Sequence, residues 1–305
     1  MTVLGIDTSN YTTSVASFDG TNGKNCSRLL DVKPGELGLR QSDALFAHVK
    51  RLPELFARLT DHGPIPFSAV GVSTRPRAVE GSYMPCFLAG VSQAEVLACA
   101  LGVPIFRFSH QQGHIAAALW SAGRLDLMTR RHLAWHLSGG TTELLLIEPE
   151  GKSVRAERIG GTTDISAGQL IDRAGKLLGL DFPAGKKLDE LASAASGEER
   201  FRVRVDGLSF SLSGAENQVC RFYERTASPE ETAAFTLRTV IGAVGKATEN
   251  ALRQYSGLPV VFSGGVASNS MLRRVMRGFE AIFAEPQFST DNAMGIAVLT
   301  WLQEN

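Results

Sequence analysis

Two histidines stand four residues apart in Ser109-His110-Gln111-Gln112-Gly113-His114. On a helix this spacing puts both imidazoles on one face, about 5–6 Å apart at Cβ, close enough to share a metal ion. Two imidazoles alone are an incomplete site, so a carboxylate or other ligand must come from elsewhere; otherwise the segment is a polar helix start. The zinc-peptidase pattern H-E-x-x-H is not met, because Gln111 follows His110. Three polar glycine turns follow apolar strands, at residues 5–13, 138–142 and 263–270. A phosphate needs several N–H donors converging on it, and a Cβ at the contact point would hold the backbone away. The segment after Leu137, Ser138-Gly139-Gly140-Thr141-Thr142, suits that task, with hydroxyls as added donors. Neither the P-loop pattern nor G-x-G-x-x-G is matched, and each turn by itself also reads as an ordinary turn.

Several carboxylates are candidates. Asp7 sits amid apolar residues in Gly5-Ile6-Asp7-Thr8-Ser9, where burying a charge needs a reason. Magnesium–phosphate coordination by Asp7 and Ser9 is one reason, and a buried bond to backbone is another. Asp172 lies on a helix that is apolar along one side; it points into a cleft or pairs with Arg173 or Lys176. Asp291 precedes an apolar helix and suits its N-terminus. Ser209-Phe210-Ser211-Leu212-Ser213-Gly214 reads as an edge strand or a loop facing a cleft. No G-x-S-x-G elbow supports a serine hydrolase.

The elements that must position these residues are legible in outline. Residues 3–8 and 13–18 read as a hairpin, 43–59 as a helix that Pro53 kinks or restarts, and 69–73 as a strand. A buried helix within 81–101 and a strand at 104–108 follow. Strand–turn–strand recurs at 132–148, followed by helices at 167–178 and 232–252, a strand at 258–262 and a final helix at 292–302. Glycine pairs at 139–140, 160–161 and 264–265 mark turns. Two halves that each open on a hairpin suggest a duplicated α/β architecture with a ligand cleft between them.

Composition sets bounds. The chain has 305 residues, with 31 Lys+Arg against 31 Asp+Glu. A neutral chain is not a globally cationic nucleic-acid binder, although a local patch or a partner chain remains open to it. Glycine is in excess, at 31 residues. The four cysteines, Cys26, Cys86, Cys99 and Cys220, form no C-x-x-C pair, which argues against a thiolate zinc site and fits a reducing compartment. The start resembles no signal peptide, and the longest uncharged apolar stretch, 96–106, is far short of a membrane span. A cytoplasmic protein away from any membrane is expected.

Taken together, the motifs resemble the TsaD family (also called Gcp, Kae or YgjD, once labelled glycoproteases) over nearly the whole chain. His110-Gln111-Gln112-Gly113-His114 is similar to the family's H-x-E-G-H, and Thr290-Asp291-Asn292-Ala293 to its T-D-N-A segment, which makes Asp291 the third metal ligand. Ser138-Gly139-Gly140-Thr141-Thr142 is similar to S-G-G-H-T. The residues from Ala167 to Arg173 are similar to A-G-E-A-F-D-K, placing a nucleotide-binding Asp at Asp172, and the segment after it places a nucleotide-contacting Gly at Gly185. Gly264-Gly265-Val266-Ala267-Ser268-Asn269 is similar to the adenosine motif G-G-V-A-A-N, and Phe210 to Gly214 to F-S-F-S-G.

The resemblance implies an α/β fold with two actin-like ATPase lobes (the sugar kinase/Hsp70/actin superfamily), mixed sheets flanked by helices. Residues 1–108 would form the first lobe, rejoined by helix 291–305, and 109–290 the second, with the metal and nucleotide loops. It implies a threonylcarbamoyl transferase acting on adenine of tRNA, with one divalent metal, iron or zinc, and an ATP- or AMP-type adenylate, with or without magnesium. It implies TsaB-like and TsaE-like partners, or a homo- or heterodimer, and tRNA reached through partner proteins. Alternatives are a non-catalytic nucleotide- and metal-binding subunit, and a metallopeptidase. The chain departs from the family at Tyr11 and Thr12, where E-T-S-C-D-E-T has two acids, at Thr141 in place of His, at Gln112 and Gln169 in place of Glu, at Gly161 in place of Glu, and around 75–82, where R-G-P-G-L is replaced. This pattern resembles a divergent paralogue.

Overall fold

In the structure, a computed structural model, residues 1–9, 12–31 and 39–305 are described. Short β-branched runs at the N-terminus make a hairpin of β1 (Thr2–Ser9) and β2 (Thr12–Phe18), paired antiparallel from Val3↔Phe18 to Ser9↔Thr12. Then come β3 (Gly23–Leu29), α1 (Gln41–Leu59), β4 (Phe67–Arg75), α2 (Phe87–Leu101), β5 (Ile105–Ser109) and α3 (His110–Ser121). The chain continues with β6 (His132–Leu137), β7 (Thr142–Glu150), β8 (Ser153–Thr162), α4 (Ala167–Leu177) and α5 (Gly185–Ala192). After β9 (Val205–Asp206), β10 (Ser209–Phe210), α6 (Ser213–Thr226) and α7 (Pro229–Gln254) come β11 (Val260–Ser263), α8 (Ser270–Met276), β12 (Ile282–Phe283) and α9 (Met294–Glu304).

The two sheets repeat one plan. The first has strand order β3-β2-β1-β4-β5, the second β12-β11-β6-β7-β8-β10-β9. In the first, β4 and β5 continue parallel from β1. In the second, β11 and β12 continue parallel from β6. The core β8-β7-β6-β11-β12 thus repeats β3-β2-β1-β4-β5, and β10-β9 is an addition at the β8 edge. The chain divides into two compact units: Met1–Arg130 with Glu148–Ala156 and Asp291–Asn305, and Arg131–Ile147 with Glu157–Thr290.

Alternation along β1 sorts the first unit's side chains. Ile6 and Thr8 face α2, where a Cβ on Gly90 would meet both. Gly5 faces α9: a Cβ there would lie 2.7 Å from the Ala293 carbonyl oxygen, so only glycine lets the helix this close. Leu4, Ile6, Val15, Leu52, Val70 and Val72 build this unit's core. Trp135, Leu144, Leu170, Val244 and Phe262 belong to the core of the second.

Three expectations need correcting. The boundary placed after residue 108 falls after Arg130, because α3 packs with the first unit; the histidine pair therefore belongs to that unit and not to 109–290. Helix α1 runs unbroken through Pro53, whose ring lies on the exposed face while Ala44, Leu52, Leu55 and Leu59 anchor the other. Gly160 and Gly161 lie inside β8 and form no turn. Gly161 has φ +117°, and a Cβ there would meet Glu143 Cα at 2.9 Å.

Candidate functional site

Helix α3 follows directly on β5 and starts at a capping serine. Ser109 caps it, accepting from Gln112 N at 3.2 Å, and Gln112 Oε1 accepts from Ser109 N at 2.8 Å, a reciprocal capping box. His110 and His114 then fall one turn apart on one face, with their Nε2 atoms 2.8 Å apart. Asp291 reaches the same point from the residues before α9, its Oδ1 lying 3.2 Å from His114 Nε2 and 3.5 Å from His110 Nε2. It does not cap α9. Asn292 Oδ1 accepts from Met294 N at 3.0 Å and Asn25 Oδ1 from Ala293 N at 3.1 Å, leaving the Asp291 carboxylate for the imidazoles. Thr12 donates its hydroxyl to Asp291 Oδ2 at 3.4 Å. Small residues bring the two helices together: Gly113 and Gly295 face each other, and a Cβ on Gly295 would lie 2.6 Å from the Gly113 carbonyl carbon.

The donor set fits one divalent cation. One ligand atom from each of His110, His114 and Asp291 lies within 4.8 Å of the others. A tetrahedral ion with bonds of about 2.0–2.1 Å holds neighbouring ligand atoms about 3.3 Å apart, close to the separations seen here. Imidazoles with a carboxylate suit zinc or iron. Burial is the largest influence on His110 and works against its protonation. The charges and hydrogen bonds of Asp7 and Asp291 outweigh it and raise the ring to about 10. Burial likewise opposes the charge on Asp291, yet bonds from both imidazoles hold it well below the usual carboxylate range. A cation binding here must therefore displace a proton.

Asp7 lies behind this set. It is 1 % exposed; Oδ1 accepts from Ser9 N at 2.8 Å and Oδ2 from His110 Nδ1 at 2.6 Å. Both oxygens are thus engaged inside the chain, one of them with backbone. Ser9 Oγ is buried and has no hydrogen-bond partner among the described residues. Tyr11 lies outside the described residues. Gln112 supplies no carboxylate and is used up structurally, its amide nitrogen donating to Ser153 Oγ and the Val154 carbonyl. Sequence reasoning missed the Asp7–His110 link. Its signal was a run of polar residues in otherwise apolar strands. It also missed the glycine contact, whose signal was a glycine inside each helix, where glycine costs about 1 kcal/mol relative to alanine.

The second unit gathers the other expected residues. Leu137 ends β6 opposite Thr142. Ser138 and Thr141 close the turn, Ser138 N donating to the Thr141 carbonyl at 2.8 Å and Thr141 N to Ser138 Oγ at 3.1 Å. The N-terminus of α4 braces it. Ser166 Oγ donates to the Gly139 carbonyl at 2.6 Å, Ala167 N to Thr142 Oγ1 at 2.8 Å, and Gly168 is pressed against Gly139. Among the described residues the Gly139 and Gly140 amides have no acceptor, and open space lies beside both. Asp172 turns from Arg173, which pairs with Glu216, and accepts from Ala184 N at 2.9 Å, just before Gly185 opens α5. Burial pushes its carboxyl up, partly offset by that bond. Gly265 and Asn269 bracket a short 3₁₀ turn after β11. Asn269 Oδ1 caps α8, accepting from Leu272 N at 2.9 Å. Gln169, the counterpart of Gln112, completes the capping box of α4 with Ser166. Ser209 and Phe210 form the short strand β10, and Asp164 receives the Leu212 and Ser213 amides at the start of α6. No helix among the described residues is long and apolar enough to cross a membrane.

Comparison with known proteins agrees with these motifs. The family model described as "TsaD: tRNA N6-adenosine threonylcarbamoyltransferase" matches residues 39–298. A protein of that name from Thermosipho africanus is 29% identical, covering 98% of this chain and 93% of its own length. One from Corynebacterium diphtheriae is 30% identical over 90% of this chain and 82% of its own. Among solved structures, full-length HypF in a phosphate- and nucleotide-bound form superposes with a TM-score of 0.60 at 15% identity, covering 99% of this chain and 56% of that one. ROK hexokinase from Thermus thermophilus does so at 0.52 and 16%, covering 100% and 99%. The fold is the α/β, mixed-sheet fold of the actin-like ATPases and sugar kinases.

Proposed function

The chain belongs to the TsaD family of tRNA N6-adenosine threonylcarbamoyltransferases, and on that premise we propose that it moves a threonylcarbamoyl group from an adenylate donor to adenine of tRNA. The adenine amine forms a bond to the carbamoyl carbon, the bond from that carbon to the phosphate oxygen breaks, AMP leaves, and the amine gives up a proton. The observation that carries the proposal is the convergence of His110, His114 and Asp291 from two distant segments. These residues would hold one zinc or iron ion, which supplies Lewis-acid polarisation of a phosphate or carbonyl oxygen.

The chain's own residues do the rest. The open Gly139 and Gly140 amides, with the Ser138 and Thr141 hydroxyls, cradle phosphate in the turn that α4 braces. Gly265 and Asn269 take the adenosine, and Asp172 and Gly185 the nucleotide beside it. Ser9 Oγ, buried and without a partner among the described residues, is a donor in reserve for a bound anion. A neutral chain leaves most of the grip on tRNA to a local patch or to TsaB-like and TsaE-like partners, in the cytoplasm where tRNA is modified.

The test is a reconstituted reaction containing threonylcarbamoyl-adenylate, tRNA, candidate partners and the metal-loaded protein, read by nucleoside chromatography. Appearance of the modified nucleoside, lost with His114→Ala, is expected. Nucleotide binding without modification under every partner combination overturns the transferase reading in favour of a non-catalytic subunit. Proteolysis is disfavoured because position 112 has no carboxylate to activate water.

A further inference from the structure

We infer that Asp7 is a positioning residue of the metal centre, holding His110 in the tautomer and ring orientation that aim Nε2 at the other donors. The inference rests on the metal-site reading above and deepens it.

Asp7 faces the α3 and α9 side of the first sheet by the alternation of β1, two residues on from Gly5. Its carboxylate is held from behind, since Ser9 N donates to Oδ1 at 2.8 Å from the last rung of the β1–β2 ladder. Its other oxygen lies 2.6 Å from His110 Nδ1. A carboxylate accepting on both sides requires the Nδ1 proton on the histidine, and Nε2 is then the ring atom left to bind a cation. Carboxylate–histidine–metal arrays of this kind fix ring orientation and raise ligand basicity.

Only a carboxylate serves both N–H donors. An asparagine has one acceptor oxygen. If that oxygen serves Ser9 N–H, its NH₂ meets His110 Nδ1 and drives the ring proton onto Nε2, where it blocks the cation. At 1 % exposure Asp7 has no bulk solvent beside it to replace the lost partner.

The experiment strips the protein with chelator and titrates Co²⁺ into wild type, Asp7→Asn and Asp7→Glu, following affinity by calorimetry and geometry by visible absorption. Asp7→Asn is expected to bind at least tenfold more weakly, with an altered Co²⁺ band, and Asp7→Glu to recover part of the loss. In a His110→Ala background, Asp7→Asn is expected to cost no further affinity. Histidine ¹⁵N shifts of the zinc-loaded wild type, which need no variant to fold, are expected to show His110 protonated at Nδ1. An unprotonated Nδ1, or an Asp7→Asn protein within threefold of wild type with an unchanged band, overturns the inference while leaving the metal site standing. A wild type that takes up no Co²⁺ or Zn²⁺ overturns both.

Discussion

Adding one methyl group at Gly295 is expected to take the proposed metal centre apart. A Cβ there would lie 2.6 Å from the Gly113 carbonyl carbon and 2.8 Å from Ala117 N, with the Gly113 oxygen nearer still. Ordinary contact begins near 3.5 Å, so α9 and α3 must part by about 0.9 Å or more. Asp291 lies four residues before Gly295 and His114 next to Gly113, and their ligand atoms are now 3.2 Å apart. The same displacement carries that separation to roughly 4 Å, beyond what a tetrahedral ion with bonds near 2.1 Å bridges without distortion. Two stability effects oppose each other. Alanine improves a helix by up to about 1 kcal/mol over glycine, whereas overpacking costs about 1–3 kcal/mol. Overpacking wins because the obstacle is backbone and cannot swing aside. Gly295→Ala is expected to fold with Tm lowered by a few degrees and to bind Zn²⁺ at least tenfold more weakly. Gly278→Ala, where nothing lies within 4 Å, is the control and should change neither. Circular dichroism with calorimetric Zn²⁺ titration decides it. A Gly295→Ala protein that keeps its Zn²⁺ affinity within threefold, with Tm unchanged or raised, refutes the packing argument.

Two further outcomes are expected. His48 is fully buried, with Nδ1 2.8 Å from Thr13 Oγ1; burial, only partly opposed by the Asp7 charge, lowers its pKa from 6.5 to about 4. As pH falls through that window the unfolded chain takes up a proton that the folded one refuses. Stability is therefore lost on acidification from 6.5 towards 4, by up to on the order of 3 kcal/mol, and urea titrations at pH 7 and 4.5 should show that excess loss in wild type but not in His48→Asn; parallel losses in both proteins would argue against it. Asn269 caps α8 while standing in the expected adenosine motif, so Asn269→Ala should cost about 1 kcal/mol and weaken AMP binding. Asn269→Asp keeps the cap and should keep Tm while still losing AMP affinity; wild-type AMP binding by Asn269→Asp would limit Asn269 to a structural role.

What was legible in the sequence was what depends on near neighbours. The four-residue step from His110 to His114, the glycine turn after Leu137 and the twofold hairpin plan all follow from helical and strand periods and from turn chemistry. Motif resemblance added Asp291, a partner 177 positions from His114 that no local rule connects to it. Tertiary structure alone decided the rest. It set Asp7 against a histidine 103 positions away, although a carboxylate in a strand reads equally well as a phosphate or magnesium ligand. It assigned α3 to the first unit, since that depends on which glycine-lined helix it meets. It moved Gly160 and Gly161 from a turn into β8, because the neighbours that forbid a side chain there come from other segments. Periodicity specifies which side chains share a face; which face meets which is settled only when the helices and sheets bury one another.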